Sequence, residues 1–254
     1  MFLYRIRLLL WRIRSSLMMA PAAGRLTAIA IAAFIVQQIT ARVSFVAGSG
    51  YYTFADSLTY CFGLHVPLLI RGFFWQPLTY MFLHGSLLHL FLNCFTLFFF
   101  GSGVEAEIGS SRFLKVFLIG GIIGGLAWIL ADAYEPHLIA RLSKLGGWCQ
   151  KFAVFMKQSR NPHIYGVCIG ASGGVFALIG AFAACFPERK LLVILLFWPL
   201  KIKAIWLAII LGVITVGAAV IGLGQVAYAT HLAGGIFGYL YGYKIRHKIL
   251  KYED

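Results

Sequence analysis

Six long apolar stretches constrain the fold of this chain more than any other feature of its sequence. They lie at about 26–47, 86–104, 113–134, 167–186, 202–221 and 228–243. Each is close to the roughly 20 residues that a helix needs to cross a bilayer. Because lipid offers no partner for backbone polar groups, crossing segments form helices. The sequence therefore predicts an all-α polytopic membrane protein, a bundle of six transmembrane helices.

The composition agrees with this class of protein. Hydrophobic residues make up 61% of the chain and charged residues only 12%, whereas soluble domains carry about 25% charged residues. The net charge of +14 comes from Lys and Arg in short loops and at the termini. That distribution is typical of membrane topology, so we expect a lipid bilayer and no nucleic acid as the partner of the basic residues.

The same charges predict the orientation and the division of the chain. With the N-terminus inside, the inner segments hold 15 of the 22 Lys and Arg residues, so both termini are expected in the cytosol. We divide the chain into a basic interfacial segment (1–25), a six-span domain (26–243) and a basic tail (244–254). An organellar targeting sequence is the alternative for the first segment, because it is Arg-rich and lacks acidic residues.

Two further segments do not fit a simple span. Residues 191–200 are apolar but too short to cross as a helix, and Pro199 interrupts them, so a re-entrant or interfacial segment is expected. The loop at 135–165 carries five basic residues on the predicted outer side. Its amphipathic pattern predicts that it lies on the outer leaflet.

Two polar residues in apolar stretches point to chemistry. Ser172 lies in Gly170-Ala171-Ser172-Gly173, and His231 lies near the start of the sixth stretch. A hydroxyl and an imidazole within lipid are costly unless they are buried in protein and used. A serine and a histidine are also the minimum apparatus for acyl transfer, a nucleophile and the base that activates it.

The predicted topology brings more polar groups to the same depth. Spans 2, 4 and 6 all enter from outside, and His89 and Asn93 share one face at the start of span 2. These two side chains, with the backbone N–H of Ser172, can donate to an oxyanion. No carboxylate lies at the depth needed to orient His231, so a dyad is expected, with Phe176 packing against the imidazole ring.

Glycines offer a mechanical reason why two helices could bring a serine and a histidine together. Gly234 and Gly238 lie on one face of span 6 below His231, and Gly173 and Gly180 lie on span 4. Small residues at a spacing of four let helix backbones approach closely.

These motifs together resemble those of the rhomboid intramembrane serine proteases. The resemblance covers about residues 70–243 and includes Gly101-x-x-x-Glu105-x-x-x-Gly109 at the inner end of span 2. It implies that Ser172 is the nucleophile and His231 the base, that His89 and Asn93 help stabilise the oxyanion, and that Glu105 is a structural brace. The chain departs from the family where Phe176 replaces a frequent Tyr and where Trp75-Gln76 replaces Trp-Arg.

The expected function is that of a serine endopeptidase that cleaves single-span membrane proteins near the outer interface, with small residues at the cleaved bond. The alternative is a rhomboid-like protein that binds transmembrane helices without cutting them. A transporter or proton channel would need acidic residues in mid-membrane and inverted repeats, and the sequence has neither.

The sequence says less about cofactors, the role of His84, the type of membrane and the oligomeric state. His89, His231 and the cysteines make no recognisable metal set, so neither a metal nor another cofactor is expected. His84 is read as a loop residue that hydrogen-bonds. The bare six-span core favours a bacterial cytoplasmic membrane, while an organelle membrane, the physiological substrate and the oligomeric state stay open.

Overall fold

The computed structural model describes residues 22–47, 50–144, 166–195, 198–220 and 228–250, and these residues are mostly helical. The helices are α1 (Ala22–Thr40), α2 (Phe54–Phe62), α3 (Val66–Leu69), α4 (Gln76–Thr79), α5 (Leu87–Phe95), α6 (Gly101–Ile108), α7 (Ser110–Lys144), α8 (Ser172–Cys185), α9 (Ala204–Val220) and α10 (Tyr228–Leu250). A helix is therefore found at each of the six apolar stretches.

Among the described residues, three helical segments are long and apolar enough to cross a membrane by themselves, namely 22–40, 87–108 and 110–132. The apolar helices at 172–185 and 204–219 are shorter. These lengths support a helical membrane protein. The count of six crossings stays a prediction, because about 20 residues are needed for a helix to cross unaided.

The structure corrects the expectation of a purely helical chain. Strands β1 (Ser44–Ala47) and β2 (Gly50–Thr53) form one antiparallel hairpin, and β3 (Lys190–Leu195) and β4 (Trp198–Lys203) form another. The first replaces the outer end of the predicted first span, which stops at Thr40. The second takes up the segment predicted as re-entrant. A run too short to cross as a helix here satisfies its backbone groups by pairing with the strand that returns.

Several helix boundaries also differ from the prediction. Helix α1 begins at Ala22 rather than at 26, and residues 1–21 of the predicted basic segment lie outside the described residues. Helix α7 continues through Pro136 to Lys144, well into the predicted outer loop, whose residues 145–165 lie outside the described residues. Helix α10 continues beyond 243 to Leu250, so most of the predicted tail is helical.

Helices α7, α8 and α10 pack against one another and form the centre of the protein. In α8 every residue is buried except Ser172 and Phe176. Helix α1 packs against α5, α6 and the turn between them. Helix α9 lies beside α8 and α10, and many of its large side chains are exposed.

The long helix that contains α5 and α6 is not uniformly wound. Residues Thr96–Phe100 form a π-helical turn between the two α-helical halves. A π turn carries one residue more than an α turn, so it rotates the side chains that follow it. His89 and Asn93 precede this turn in the sequence, and Glu105 follows it.

Candidate active site

Ser172 is the first residue of α8 and is half-buried. The chain reaches it through an extended stretch in which Leu64 and Cys168 exchange backbone hydrogen bonds of 2.9 Å in both directions. Gly170 then turns the chain with a φ of 120°, a conformation that favours glycine. Because Ser172 opens the helix, the N–H groups of the first turn have no acceptor within the helix and remain able to donate.

The hydroxyl of Ser172 meets the imidazole of His231. The Oγ atom lies 2.7 Å from Nε2 of His231, which comes from the first turn of α10. The ring of Phe176, one helical turn below Ser172, stacks on the imidazole with a centroid distance of 4.3 Å and an interplanar angle of 8°. The imidazole is thus held between a hydroxyl at its edge and an aromatic ring on its face.

Close contact between α8 and α10 makes this hydrogen bond possible. The glycine seam consists of Gly173 on α8 and Gly234, Gly238 and Gly242 on α10. A Cβ atom added at Gly234 would strike the carbonyl of Gly173, and one added at Gly238 would strike the carbonyl of Ala177. Since no larger residue fits at this distance, the glycine seam sets the register that brings Ser172 beside His231.

His89 and Asn93 lie over the backbone of Gly170. A Cβ atom added at Gly170 would come within 2.7 Å of the His89 ring and 3.9 Å of Nδ2 of Asn93. The Asn93 amide donates to the carbonyl of His89 at 3.0 Å, which orients the side chain and leaves its second N–H for another acceptor. The structure therefore brings these two predicted site residues to the segment that immediately precedes Ser172.

Tyr80 holds the segment that precedes Ser172 in place, a role that the sequence did not predict. Its buried hydroxyl donates to the carbonyl of Gly121 at 2.6 Å, and its carbonyl accepts from the N–H of Gly170 at 2.9 Å. Two glycine pairs on α7 make room for these contacts. Gly120 and Gly124 face Ala177 and Thr230, while Gly121 and Gly125 face Met81 and Tyr80. The spacing Gly-Gly-x-x-Gly-Gly is the one feature of the sequence that could have indicated these close contacts of α7.

The structure explains the presence of Trp75-Gln76 where the family often has Trp-Arg. Gln76 is fully buried; it accepts a hydrogen bond from the N–H of His65 at 3.1 Å and donates to the carbonyl of Tyr60 at 2.9 Å. The indole N–H of Trp75 donates to the carbonyl of Cys61 at 2.9 Å. A neutral amide, which both donates and accepts, thus ties this stretch to residues 60–65, and an arginine could not accept.

His84 lies in the connection before α5 and does not behave as predicted. Its N–H donates to the side chain of Gln37 at 3.1 Å, but its buried ring nitrogens have no hydrogen-bond partner among the described residues. Its ring packs edge-on against that of His89, with centroids 5.1 Å apart. Burial, together with repulsion from His89, lowers the pKa of His84 to about 4, so this ring is neutral near pH 7.

Glu105 lies at the opposite end of the long helix. Its carboxylate accepts hydrogen bonds from the N–H groups of Ala22 and Ala23 at 2.7 and 2.9 Å. A carboxylate at this point satisfies two donors that the helix cannot and complements the positive end of its dipole. Glu105 therefore fixes the beginning of α1 to α6 and has no contact with Ser172 or His231 in the described residues.

Within the ranges that the structure describes, no three His, Cys, Asp or Glu residues lie close enough to hold a metal ion. The site as described is built from a hydroxyl, imidazoles, an amide and backbone N–H groups. The expectation that no cofactor takes part stays a prediction.

These features define a class, a helical membrane protein with a serine and a histidine paired between two closely packed helices. The Rhomboid domain family matches residues 71–248 of the chain. This match covers most of the sequence, and the chain therefore belongs to the rhomboid family. The resemblance drawn from the sequence motifs is confirmed.

Individual relatives support the same conclusion. The chain is 29% identical over 171 residues to Rhomboid protein 1, mitochondrial, of Saccharomyces cerevisiae, a match that covers 67% of this chain and 41% of that protein. It is 37% identical over 67 residues to the Rhomboid protease GluP of Bacillus subtilis, covering 26% and 13%. The human Presenilin-associated rhomboid-like protein, mitochondrial, is 26% identical over 160 residues, covering 63% and 35%. The chain thus spans less than half the length of these relatives.

Proposed function

We propose that this chain is an intramembrane serine endopeptidase that cleaves single-span membrane proteins near the outer membrane interface with a dyad of Ser172 and His231. The observation that carries the proposal is the distance of 2.7 Å between Oγ of Ser172 and Nε2 of His231. Membership of the rhomboid family supports it, since relatives such as GluP and YdcA are named as rhomboid proteases.

The chemistry proceeds in two acyl transfers. As Oγ of Ser172 attacks the peptide carbonyl carbon, Nε2 of His231 takes the hydroxyl proton. The tetrahedral intermediate collapses, the C–N bond breaks, and His231 gives the proton to the departing amine. A water then attacks the resulting ester with His231 again as base. The new carboxyl product leaves, and the proton returns to Ser172.

Side-chain and backbone donors are available for the negative charge of each tetrahedral intermediate. His89 and Asn93 contribute side-chain N–H groups, and the first turn of α8 contributes backbone N–H groups, including that of Ser172. Gly170 supports this arrangement because the absence of a side chain leaves room for the His89 ring. Loss of one such donor slows comparable enzymes about 100-fold or more.

The dyad works without a carboxylate. Among the described residues, the polar contact of the His231 ring is with Ser172, and its flat contact is with Phe176. Stacking fixes the ring plane, so the aromatic ring performs the orienting role that an aspartate has in a triad.

The proposed substrates follow from the position of the dyad. A stable helix hides its carbonyl groups in internal hydrogen bonds, so cleavage requires a helix that unwinds easily near the outer interface. Glycine and proline have this effect. Small residues at the cleaved bond are implied by the family.

We further propose six crossings with both termini on the cytosolic side of a bacterial cytoplasmic membrane. The charge distribution and the helices at all six apolar stretches support this topology. The relatives named above are mitochondrial and bacterial. Alkaline phosphatase fusions after residues 48 and 254 test the topology, with activity expected only from the first.

The test of function is cleavage of a single-span substrate in liposomes by wild type, Ser172→Ala and Ser102→Ala. Ser102 lies on α6, away from His231, and controls for loss of a serine hydroxyl. We expect cleavage by wild type and Ser102→Ala, none by Ser172→Ala, and fluorophosphonate labelling in the same pattern.

The alternative, a rhomboid-like protein that binds transmembrane helices without cutting them, predicts a different outcome. Substrate would then co-purify equally with wild type and Ser172→Ala, and neither protein would cleave it or react with the fluorophosphonate. Cleavage that persists in Ser172→Ala would assign the nucleophile elsewhere and refute the proposed dyad.

A further inference from the structure

An apolar groove runs along α1 beside the start of α5. Its volume is about 450 Å³, within the range of about 300–1,000 Å³ that holds small ligands. The buried side chains of Phe34 and Leu90 form its floor. Its walls are the exposed side chains of Ile35, Ile39 and Leu87, with exposed fractions of 51%, 62% and 71%.

The length of this groove corresponds to one leaflet of a bilayer. Its lining on the α1 side extends from Ile31 to Arg42. The helical part of this lining ends at Thr40, and its nine steps from Ile31 rise about 14 Å, close to half of the roughly 30 Å of hydrocarbon in a bilayer. Ile31 therefore lies near mid-membrane when Arg42 lies at the interface, on the side where α1 ends and α5 begins.

Polar groups lie only at that interfacial end of the groove lining. Arg42 and Gln38 are exposed, are one helical turn apart, and both line the groove. A guanidinium in this position can bind a phosphate through two parallel hydrogen bonds, and an amide can donate to an ester oxygen. One end suits a phosphate, and the rest suits a hydrocarbon chain.

We propose that this groove binds a phospholipid, with one acyl chain along Ile31, Ile35 and Ile39 and the phosphate at Arg42. By the predicted topology the lipid belongs to the outer leaflet. The site rests on the membrane location of the protein and not on proteolysis, because neither Ser172 nor His231 lines the groove.

Photo-crosslinking tests the proposal. Wild-type protein is reconstituted in vesicles of an uncharged glycolipid that contain a small fraction of an anionic phospholipid with a diazirine midway along one acyl chain, and the labelled residues are mapped after irradiation. We expect labels to concentrate on 31–39 and 87–90. Equal labelling of Ile29, which is 50% exposed on α1 but does not line the groove, would overturn the proposal.

Matched variants separate the groove from general lipid contact. Ile35→Trp fills the groove and should abolish the concentrated labelling, whereas Ile29→Trp should not. Arg42→Gln should lower capture about fivefold, the effect of one interfacial cation on an anionic lipid group, while Arg71→Gln, another exposed arginine on the predicted outer side, should leave it unchanged.

A competition on wild-type protein needs no variant and therefore no folding control. Unlabelled phospholipid should suppress labelling of 31–39, and an uncharged glycolipid with the same acyl chains should not. Equal suppression by both lipids would remove the phosphate from the proposal and overturn it. Substrate cleavage measured on the same samples reports separately on the proposed protease.

Discussion

Helices α8 and α9 are both short and apolar, with 14 and 17 residues, yet they relate to the rest of the protein in opposite ways. All of α8 is buried except Ser172 and Phe176. Helix α9 leaves many large side chains exposed: Trp206, Ile209, Ile210, Val213, Ile214 and Val216. Apolar composition alone therefore does not decide whether a helix faces protein or lipid.

The size of the residues accounts for the difference. Helix α8 is rich in Gly and Ala and lets neighbouring backbones approach, whereas α9 is rich in Ile and Val, whose side chains hold neighbours away. Glycine itself shows the contrast. At Gly180 of α8 an added Cβ would strike the carbonyl of Gly235, while at Gly212 and Gly217 of α9 it would meet nothing within 4 Å.

The largest expected effect comes from widening the glycine seam. Gly238→Val forces a branched side chain against the carbonyl of Ala177, and overpacking of this kind costs about 3 kcal/mol or more. Gly212→Val in α9 should change the free energy of unfolding by less than about 1 kcal/mol. Unfolding titrations in sodium dodecyl sulfate measure both. Equal losses would show that α9 is packed as tightly as α8.

The next effect concerns the backbone turn before Ser172. Gly170 and Gly72 both have positive φ, 120° and 103°, but a Cβ atom at Gly170 would strike the His89 ring, whereas one at Gly72 would meet nothing within 4 Å. Alanine at either position costs about 1–2 kcal/mol of stability. Gly170→Ala should also displace His89 and slow cleavage about 100-fold, measured as initial rates in liposomes. If Gly72→Ala slows cleavage as much, backbone strain rather than His89 is responsible.

A smaller effect is expected at Phe176, the one large side chain of α8 that is not fully buried. Phe176→Ala removes the ring stacked on His231, and an aromatic contact contributes about 0.5–1.5 kcal/mol. We expect kcat/KM to fall about 3- to 10-fold, with recovery in Phe176→Tyr, which keeps a ring. Loss of cleavage in Phe176→Tyr would mean that the ring edge, not the stack, is limiting.

The smallest effect compares two glycine-to-alanine substitutions that should change the stability of the protein in opposite directions. Gly217→Ala should stabilise α9 by about 0.5–1 kcal/mol, because alanine favours the helix and meets no neighbour. Gly180→Ala should instead destabilise the protein, because its Cβ would strike Gly235. Thermal unfolding of the two variants in one detergent gives the comparison. Stabilisation by both would contradict the close approach of α8 and α10.

Much of the site could be predicted because the chemistry dictates residue types at fixed spacings. Ser172 and His231 were identified as a pair, and Phe176 was expected against the imidazole, since each lies on a helix whose period fixes its face. The helices at the six stretches were likewise predicted from hydropathy. The roles of Ser172, His231 and Phe176 in catalysis stay predictions.

What could not be predicted depends on contacts between residues far apart in sequence. The burial of Gln76, the hydroxyl contact of Tyr80 and the burial of the His84 ring each involve a segment that no local pattern identifies. The two hairpins were not predicted because short apolar runs are compatible with either a strand or a membrane segment. Only the pairing of one strand with the next, which no local pattern shows, decides between the two.

The π-helical turn at Thr96–Phe100 has a consequence for how this protein can vary. It separates the end of the helix that carries His89 and Asn93 from the end where Glu105 is anchored to α1. Removing one residue from the turn would restore an ordinary winding and rotate one end by about 100° relative to the other. The extra residue therefore sets which way His89 and Asn93 face once Glu105 has fixed the other end of the helix.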